Sequence, residues 1–505
     1  MATATATAIT ASDLLTLLGD WTAEDTSLFR ALASTLQRLI ERGDLPPGTG
    51  LPPERALAQA LAVSRGTVMN AFDALRQDRF LESRQGSGTR VRIDAPRPLL
   101  PDMDLLGRAA PSRSLAGRLL EDRPGVIDLA VSMLHDADAV RSASLPASWD
   151  EIEFAGDGHG YAPQGLRSLR QVVAGYYQDR GLRTEPEQVL ITAGAQQGID
   201  LCAALALRPG DRVLVESPTY PGAIDAFARY GAHVVSVPFE SHWDRPARLR
   251  EAIEKHAPRL VYVMPGTHNP TGRSLPDSRR REIARLADTN ELYVIEDNTL
   301  ADVQFSPRDR PLVAAYATGD HVLTLGSLSK SAWGGLRIGW IRAEGPLVSR
   351  LARSKAAKDL SLSPITQLIA QRVLQDFDSV TALRRAQLVS RAGFLRDRLR
   401  AVLPEWTFAD AEGGLSLWIH LPFGSGDEFA QSALRHGVAV IPGSAHCVDG
   451  TGAAYLRIAY AQPEHIIEEG VARLRAAWAE YTQRGEARID GCQIVALRSR
   501  SELAG

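Results

Sequence analysis

At 505 residues the chain is too long for one ordinary core and is expected to fold as two or more domains. Its 44% apolar and 23% charged residues exclude a disordered polyelectrolyte, and no apolar run reaches the length of a membrane span. The net charge of −3 averages over unlike parts: residues 26–92 hold ten Arg, no Lys and six Asp or Glu, a local balance of about +4. Three widely spaced cysteines suggest neither a disulfide framework nor a CxxC metal site, and eleven histidines form no HxxxH pair. A reduced, cytoplasmic setting without a metal is the expectation.

In chain order, "MATATATAITASDLL" has no basic leader and no long apolar stretch, so it is expected to be a frayed low-complexity tail and not a secretory signal. "LFRALASTLQRLIERG" (28–43) puts apolar groups at 28, 32, 36, 39 and 40, a helical period that Gly43 stops. After the turn-rich "DLPPGTGLPPE", the pattern predicts a short helix over about 53–61 and a second over about 65–78, with Ser64 as its cap. "LESRQGSGTRVRI" then reads as two extended runs around Gly86-Ser87-Gly88, a hairpin. Residues 93–124, rich in Pro, Ala and charge without a period, read as a linker. From 125 to 480 short β-branched runs ("QVLITAG", "DRVLVESP", "HVVSVPF", "RLVYVMP", "LYVIEDN", "HVLTLGS") alternate with helical stretches, which predicts a mostly parallel α/β sheet. Residues from about 363 add long helices and strands such as "GLSLWIHLP" and "YLRIAYA", a smaller α+β lobe. The tail, 481–505, shows no assignable pattern.

Two helices on a short turn followed by a glycine-tipped hairpin describe a winged helix-turn-helix. The stretch "LPPERALAQALAVSRGTVMNAFDALRQDRFLESRQGSGTRV" resembles the DNA-binding domain of the GntR family of bacterial regulators, over about residues 26–92. The second helix is then the one that enters the major groove. Ser64, Arg65, Thr67 and Asn70 stand at its start, Arg55 on the helix before, and Gly86 and Gly88 at the hairpin tip that approaches the DNA backbone.

The body's polar residues gather at strand ends, where open α/β sheets bind ligands. "ITAGAQQ" turns from strand to helix through Gly194, Ala195 and Gln196, a seat for phosphate. "NPTG" contains Asn269, "LYVIEDN" ends on Asp297, and "LTLGSLSK" ends on Lys330. The whole chain has four lysines (255, 330, 355, 358) against 53 arginines, and only a lysine amine can lose its proton and attack a carbonyl.

The ordered set "Y…G…LR", "TAGAQQ", "SPTYPG", "NPTG", "ED", "SLSK…R" and "LRIAYA" closely resembles the fold-type I, pyridoxal-phosphate-dependent aminotransferases over most of 125–480. The resemblance implies that Lys330 forms the Schiff base with pyridoxal 5'-phosphate, that Asp297 pairs with the ring nitrogen, that Asn269 bonds the 3-oxygen and that Tyr220 stacks on the ring. It places the phosphate on Ala195, Gln196, Ser327, Ser329 and Arg337, with Tyr161 reaching the phosphate of the neighbouring subunit, and a substrate or effector carboxylate on Arg457. One departure stands out: the tyrosine that usually follows the aspartate by two or three positions is replaced by Thr299 and Leu300. Head and body together have the layout of the MocR subfamily of regulators. That layout implies a pyridoxal-phosphate-binding transcription regulator, a head-to-tail homodimer on operator DNA, with a small amine, amino acid or vitamer as effector. A working aminotransferase with an accessory DNA-binding module is the alternative left open by the sequence.

Overall fold

The structure, a computed structural model, describes residues 8–19, 21, 27–84, 88–92, 124–134, 137–141, 149–155, 159–239, 247–306 and 311–501. The proposed linker lies outside them except for its last residue, as does Gly86 at the hairpin tip.

The N-terminal head is built on α1 (Ala11–Leu18), α2 (Leu28–Arg42), α3 (Glu54–Ala60) and α4 (Arg65–Gln77), followed by the antiparallel pair β1 (Leu81–Arg84) and β2 (Gly88–Val91). The expected stops and caps are in place. Gly43 ends α2 in the left-handed region at φ 83°, and Ser64 Oγ accepts the Thr67 N–H at 3.1 Å to cap α4. The frayed-tail expectation covers residues 1–15, of which 1–7 lie outside the described residues, and it is corrected for residues 10–15. Thr10 caps α1 through its hydroxyl, and Leu14, Leu15, Leu18 and Trp21 are buried in the same core as Leu57, Val68 and Phe72. The alternating Thr and Ala before it hid a leucine pattern with helical spacing. Burying those side chains adds apolar area to a head core otherwise supplied by α2, α3, α4 and the hairpin.

The body centres on seven strands: β4 (Val189–Thr192), β5 (Arg212–Ser217), β6 (His233–Pro238), β7 (Leu260–Val263), β8 (Tyr293–Asp297), β9 (Val322–Ser327) and β10 (Gly339–Arg342), in the order β4-β10-β9-β8-β7-β5-β6. β10 runs antiparallel to both its neighbours and the other pairings are parallel, so the mostly parallel sheet expected from the alternating pattern is present. Helices cover both faces, which is why the strands read as unbroken apolar runs. Alternate residues divide between two cores: Val261, Val263, Val294 and Val322 face one layer, while Leu260, Tyr262, Ile295 and Leu323 face the other.

The smaller lobe packs the helices Phe377–Val402, Gly426–Arg435 and Glu464–Ser501 around a four-stranded sheet ordered β11-β12-β15-β14. Its strands are β11 (Thr407–Phe408), β12 (Ser416–His420), β14 (Ile441–Pro442) and β15 (Tyr455–Ala459). The short β13 (Val438–Ala439) pairs instead with β3 (Ile127–Asp128), so the chain reaches this lobe before it enters the large sheet. The region without an assignable pattern is helical as far as Ser501.

Candidate cofactor site and nucleic-acid-facing helix

The large sheet brings its strand ends to one edge, and most of the residues predicted for the cofactor collect near it. Gly194, at φ +88°, lets β4 turn directly into the helix Ala195–Ala206, and a Cβ at this position would meet Arg337 Nη2 at 3.1 Å. The first intrahelical bond runs from Gly198 N to Gly194 O at 3.4 Å, leaving the N–H groups of Ala195 and Gln196 pointing out of the helix. Arg337 closes the other side. It sits in the left-handed region at φ 52° and its guanidinium donates to the Ala193 carbonyl. Ser327 Oγ donates to Ser329 Oγ at 3.0 Å and accepts the Ser329 N–H at 3.2 Å. Outward-facing N–H groups and a guanidinium at this turn, with two hydroxyls at the end of β9, are a donor set suited to seat an anion. The Gln196 side chain faces away from it, donating to Gly222 O at 2.8 Å and accepting from Tyr220 OH at 3.0 Å, so Gln196 offers the seat its backbone only.

Asp297 is the last residue of β8 and is buried. Its Oδ1 accepts the Thr299 N–H at 2.9 Å and its Oδ2 accepts Tyr262 OH at 2.6 Å. Sequence reasoning missed Tyr262. The parallel register pairs Tyr262 with Ile295, two residues before Asp297, so both side chains leave the sheet on the same face. Burial, then the neighbouring carboxylate of Asp297, hold the Tyr262 phenol well above the usual tyrosine range, so it stays protonated and donates. Tyr220, the residue before the helix Pro221–Arg229, is pushed up to about 12, first by burial and then by Asp297.

Lys330 lies in a single π-helical turn, Ser329–Trp333, a form that concentrates at functional sites. The residue is half-buried, while its amine is enclosed and donates to Ser132 O at 2.7 Å. Burial first, then the positive charges of Arg457 and Arg337, push its pKa down to about 8. Arg457, on β15, is buried; it donates to Asn269 Oδ1 at 3.3 Å and to the Ala130 carbonyl. Asn269, Lys330, Arg337, Arg457, Asp297 and Tyr220 therefore share one neighbourhood. Tyr161 does not join it within one chain and is 57% exposed.

In the head, Arg55, Ser64, Arg65 and Asn70 are exposed along α3 and the first turns of α4, with Thr67 half-covered. Thr67 and Ser64 share a hydroxyl–hydroxyl bond at 2.9 Å, and Arg65 pairs with Glu54 at 3.3 Å. Arg76 Nε donates to Ser83 Oγ at 3.0 Å and anchors the hairpin to α4. Gly88 takes φ +78° at the near side of the tip.

Residues 125–474 match the family described as aminotransferase class I and II, and residues 28–91 match the bacterial regulatory proteins of the gntR family. The pyridoxine biosynthesis regulator PdxR of Corynebacterium glutamicum is 31% identical, over 72% of this chain and 75% of its own. The probable rhizopine catabolism regulatory protein MocR of Rhizobium meliloti is 28% identical, over 92% of this chain and 97% of its own. Among solved structures, the α-aminoadipate aminotransferase LysN of Thermus thermophilus, complexed with N-(5'-phosphopyridoxyl)-L-leucine, is 29% identical with a TM-score of 0.63, over 72% of this chain and 95% of its own. The donor set described above fits a phosphorylated pyridine aldehyde: an anion seat, a buried carboxylate for a ring nitrogen and an amine of lowered pKa. Among the described residues no group of three or more His, Cys, Asp or Glu side chains could hold a metal, and no helix is long and apolar enough to cross a membrane.

Proposed function

We propose that this chain, which belongs to the aminotransferase class I and II family and, through its gntR-type head, to the MocR subfamily of regulators, controls transcription by sensing an amine, an amino acid or the vitamer itself in its body. Its cofactor is pyridoxal phosphate. When bound, the coenzyme supplies an aldehyde that condenses with primary amines and a ring that withdraws electrons.

This chain's residues divide that work. The N–H groups of Ala195 and Gln196, the hydroxyls of Ser327 and Ser329 and the Arg337 guanidinium hold the phosphate. Asp297, steadied by Tyr262, holds the ring nitrogen, Asn269 the 3-oxygen, and Tyr220 lies against the ring. Lys330 is the point of covalent attachment, and Arg457 binds an effector carboxylate in a fork that lysine could not copy. Tyr161 serves the phosphate of the neighbouring subunit in a head-to-tail dimer, which its exposure within one chain supports. In the head, Arg55, Arg65, Thr67 and Asn70, with Gly86 and Gly88 at the hairpin tip, meet the operator, Ser64 holding the start of α4.

The observation that carries this reading is Lys330, an enclosed amine pushed down to about 8 in a body that follows a DNA-binding head. An effector acts only through unequal affinity for two arrangements of the body, and a coupling of about 1–3 kcal/mol is enough to switch the head. The test is to incubate the holoprotein with amino acids and a keto acid while following the coenzyme spectrum, turnover and operator binding. A spectral change with altered operator binding and no sustained turnover is expected. Repeated turnover with unchanged operator affinity would favour the enzyme.

A further inference from the structure

Two of the chain's four lysines are buried in the body in different senses. Lys330 is half-buried at the site, whereas Lys355 is fully buried in the helix Gly345–Asp359 with no part in the cluster above. Buried charges are rare unless paired, and Lys355 is paired: its Nζ donates to Asp359 Oδ1 at 2.9 Å, one helical turn on.

The pair does not end there. Asp359 Oδ2 accepts Gln197 Nε2 at 2.7 Å, and Gln197 Oε1 accepts the Ala193 N–H at 2.8 Å. The Ala193 carbonyl in turn accepts the Arg337 guanidinium. Each member's orientation follows from the next. With a carboxylate on one side and an N–H on the other, only one setting of the Gln197 amide satisfies both. The same ammonium faces the Pro163 carbonyl at 3.4 Å, and Ala162 N donates to Ser361 Oγ at 2.9 Å, just beyond the end of that helix. One buried point charge is thus linked through Asp359 and Gln197 to the turn that leads into the anion seat, and directly to the loop that carries Tyr161.

We infer that Lys355 is a positioning residue for the phosphate of the cofactor, acting through Asp359 and Gln197 on the Ala193–Ala195 turn and on Arg337. A lysine suits this place in an arginine-rich chain because its compact ammonium serves acceptors on a helix and on a loop, which are not arranged for a planar fork. This inference rests on the reading of the turn and Arg337 as the phosphate seat.

The experiment compares binding of pyridoxal 5'-phosphate with binding of pyridoxal, which lacks the phosphate, in the wild type, Lys355→Met and Gln197→Met. Gln197→Met breaks the relay in its middle and leaves the Lys355–Asp359 pair intact, so it answers the question even where Lys355→Met fails to fold. Both substitutions are expected to weaken the phosphorylated coenzyme roughly 10- to 100-fold, the size of losing one hydrogen bond to a charged group, and to leave pyridoxal within about twofold. Equal losses for both ligands, or no loss in Gln197→Met, would overturn the relay. A wild type that binds both equally would instead overturn the phosphate seat itself, so the two failures are separable.

Discussion

Replacing Lys330 with Met gives a test that needs neither effector nor operator. In the folded chain the amine titrates at about 8, against about 10.5 for a free lysine. Between those two values the unfolded chain carries the proton and the folded chain does not. More protons on the unfolded state means that stability rises with pH across the window. Below pH 8 both states are protonated and the folded state bears the whole penalty of an enclosed charge, roughly 3 kcal/mol for a shift of this size. Lys330→Met, in apoprotein, is therefore expected to be more stable than the wild type by roughly that amount at pH 7. The advantage should fall towards the packing difference alone by about pH 10.5. Urea unfolding of the two proteins at half-unit steps from pH 7 to 10.5 measures it, since the difference between them cancels the other titrating groups. A difference that stays constant across the window would refute the lowered pKa, and with it the reason for a lysine here. The functional counterpart is large. At pH 7.5 about a quarter of an amine with pKa 8 is unprotonated, against about one part in a thousand at 10.5, a gain of about 200-fold in nucleophile.

Three further outcomes are expected. Tyr262→Phe removes a donor at 2.6 Å from the buried Asp297 carboxylate, a charge-assisted bond worth about 1.5–3 kcal/mol, so coenzyme affinity should fall roughly 10-fold or more in a fluorescence titration. Leu14→Ala, at a fully buried leucine in the head core, should destabilise the head by about 2–5 kcal/mol in thermal unfolding, whereas a frayed segment would be indifferent. Arg55→Ala, at an exposed position on α3, should weaken operator binding similarly for all sequences and reduce the salt slope by about 1 in a fluorescence anisotropy titration.

The strand-end residues were legible because a parallel sheet puts the ends of its apolar runs on one edge, so Asp297 and Lys330 could be placed by where "VIED" and "GSLSK" stop. Ser64 was legible because capping is local. Tyr262 was not, because its partnership with Asp297 depends on the register between two strands separated by the helix Asp277–Thr289, and no local pattern encodes that pairing. A buried tyrosine whose hydroxyl must find a partner was the available signal. Lys355 was opaque for a similar reason: on a helix it reads as a solvated charge until the loop carrying Pro163 and the Gln197 side chain are brought over it. With α1 the obstacle was composition: the Thr-Ala repeat at the start masked leucines at 14, 15, 17 and 18.

The layout also bears on how a small ligand could govern a distant helix. Arg457 lies on β15 directly opposite Ile441 of β14, and β13 and β14 pack against the helix Gly426–Arg435. At the end of that helix, Arg435 Nη1 donates to the carbonyl of Leu61, the residue that closes α3, at 3.1 Å. The residue proposed to bind an effector carboxylate and the first helix of the DNA-binding motif are thus joined by one strand, one helix and one hydrogen bond. Contiguity sets where a signal can pass, while its size is fixed by the difference in contacts between two arrangements. A bond from a charged donor to a carbonyl contributes about 1.5–3 kcal/mol, and the coupling that separates two regulatory states is about 1–3 kcal/mol. Making or breaking a contact of this kind between body and head is therefore sufficient in energy to change operator occupancy about tenfold or more, without a large rearrangement of either core.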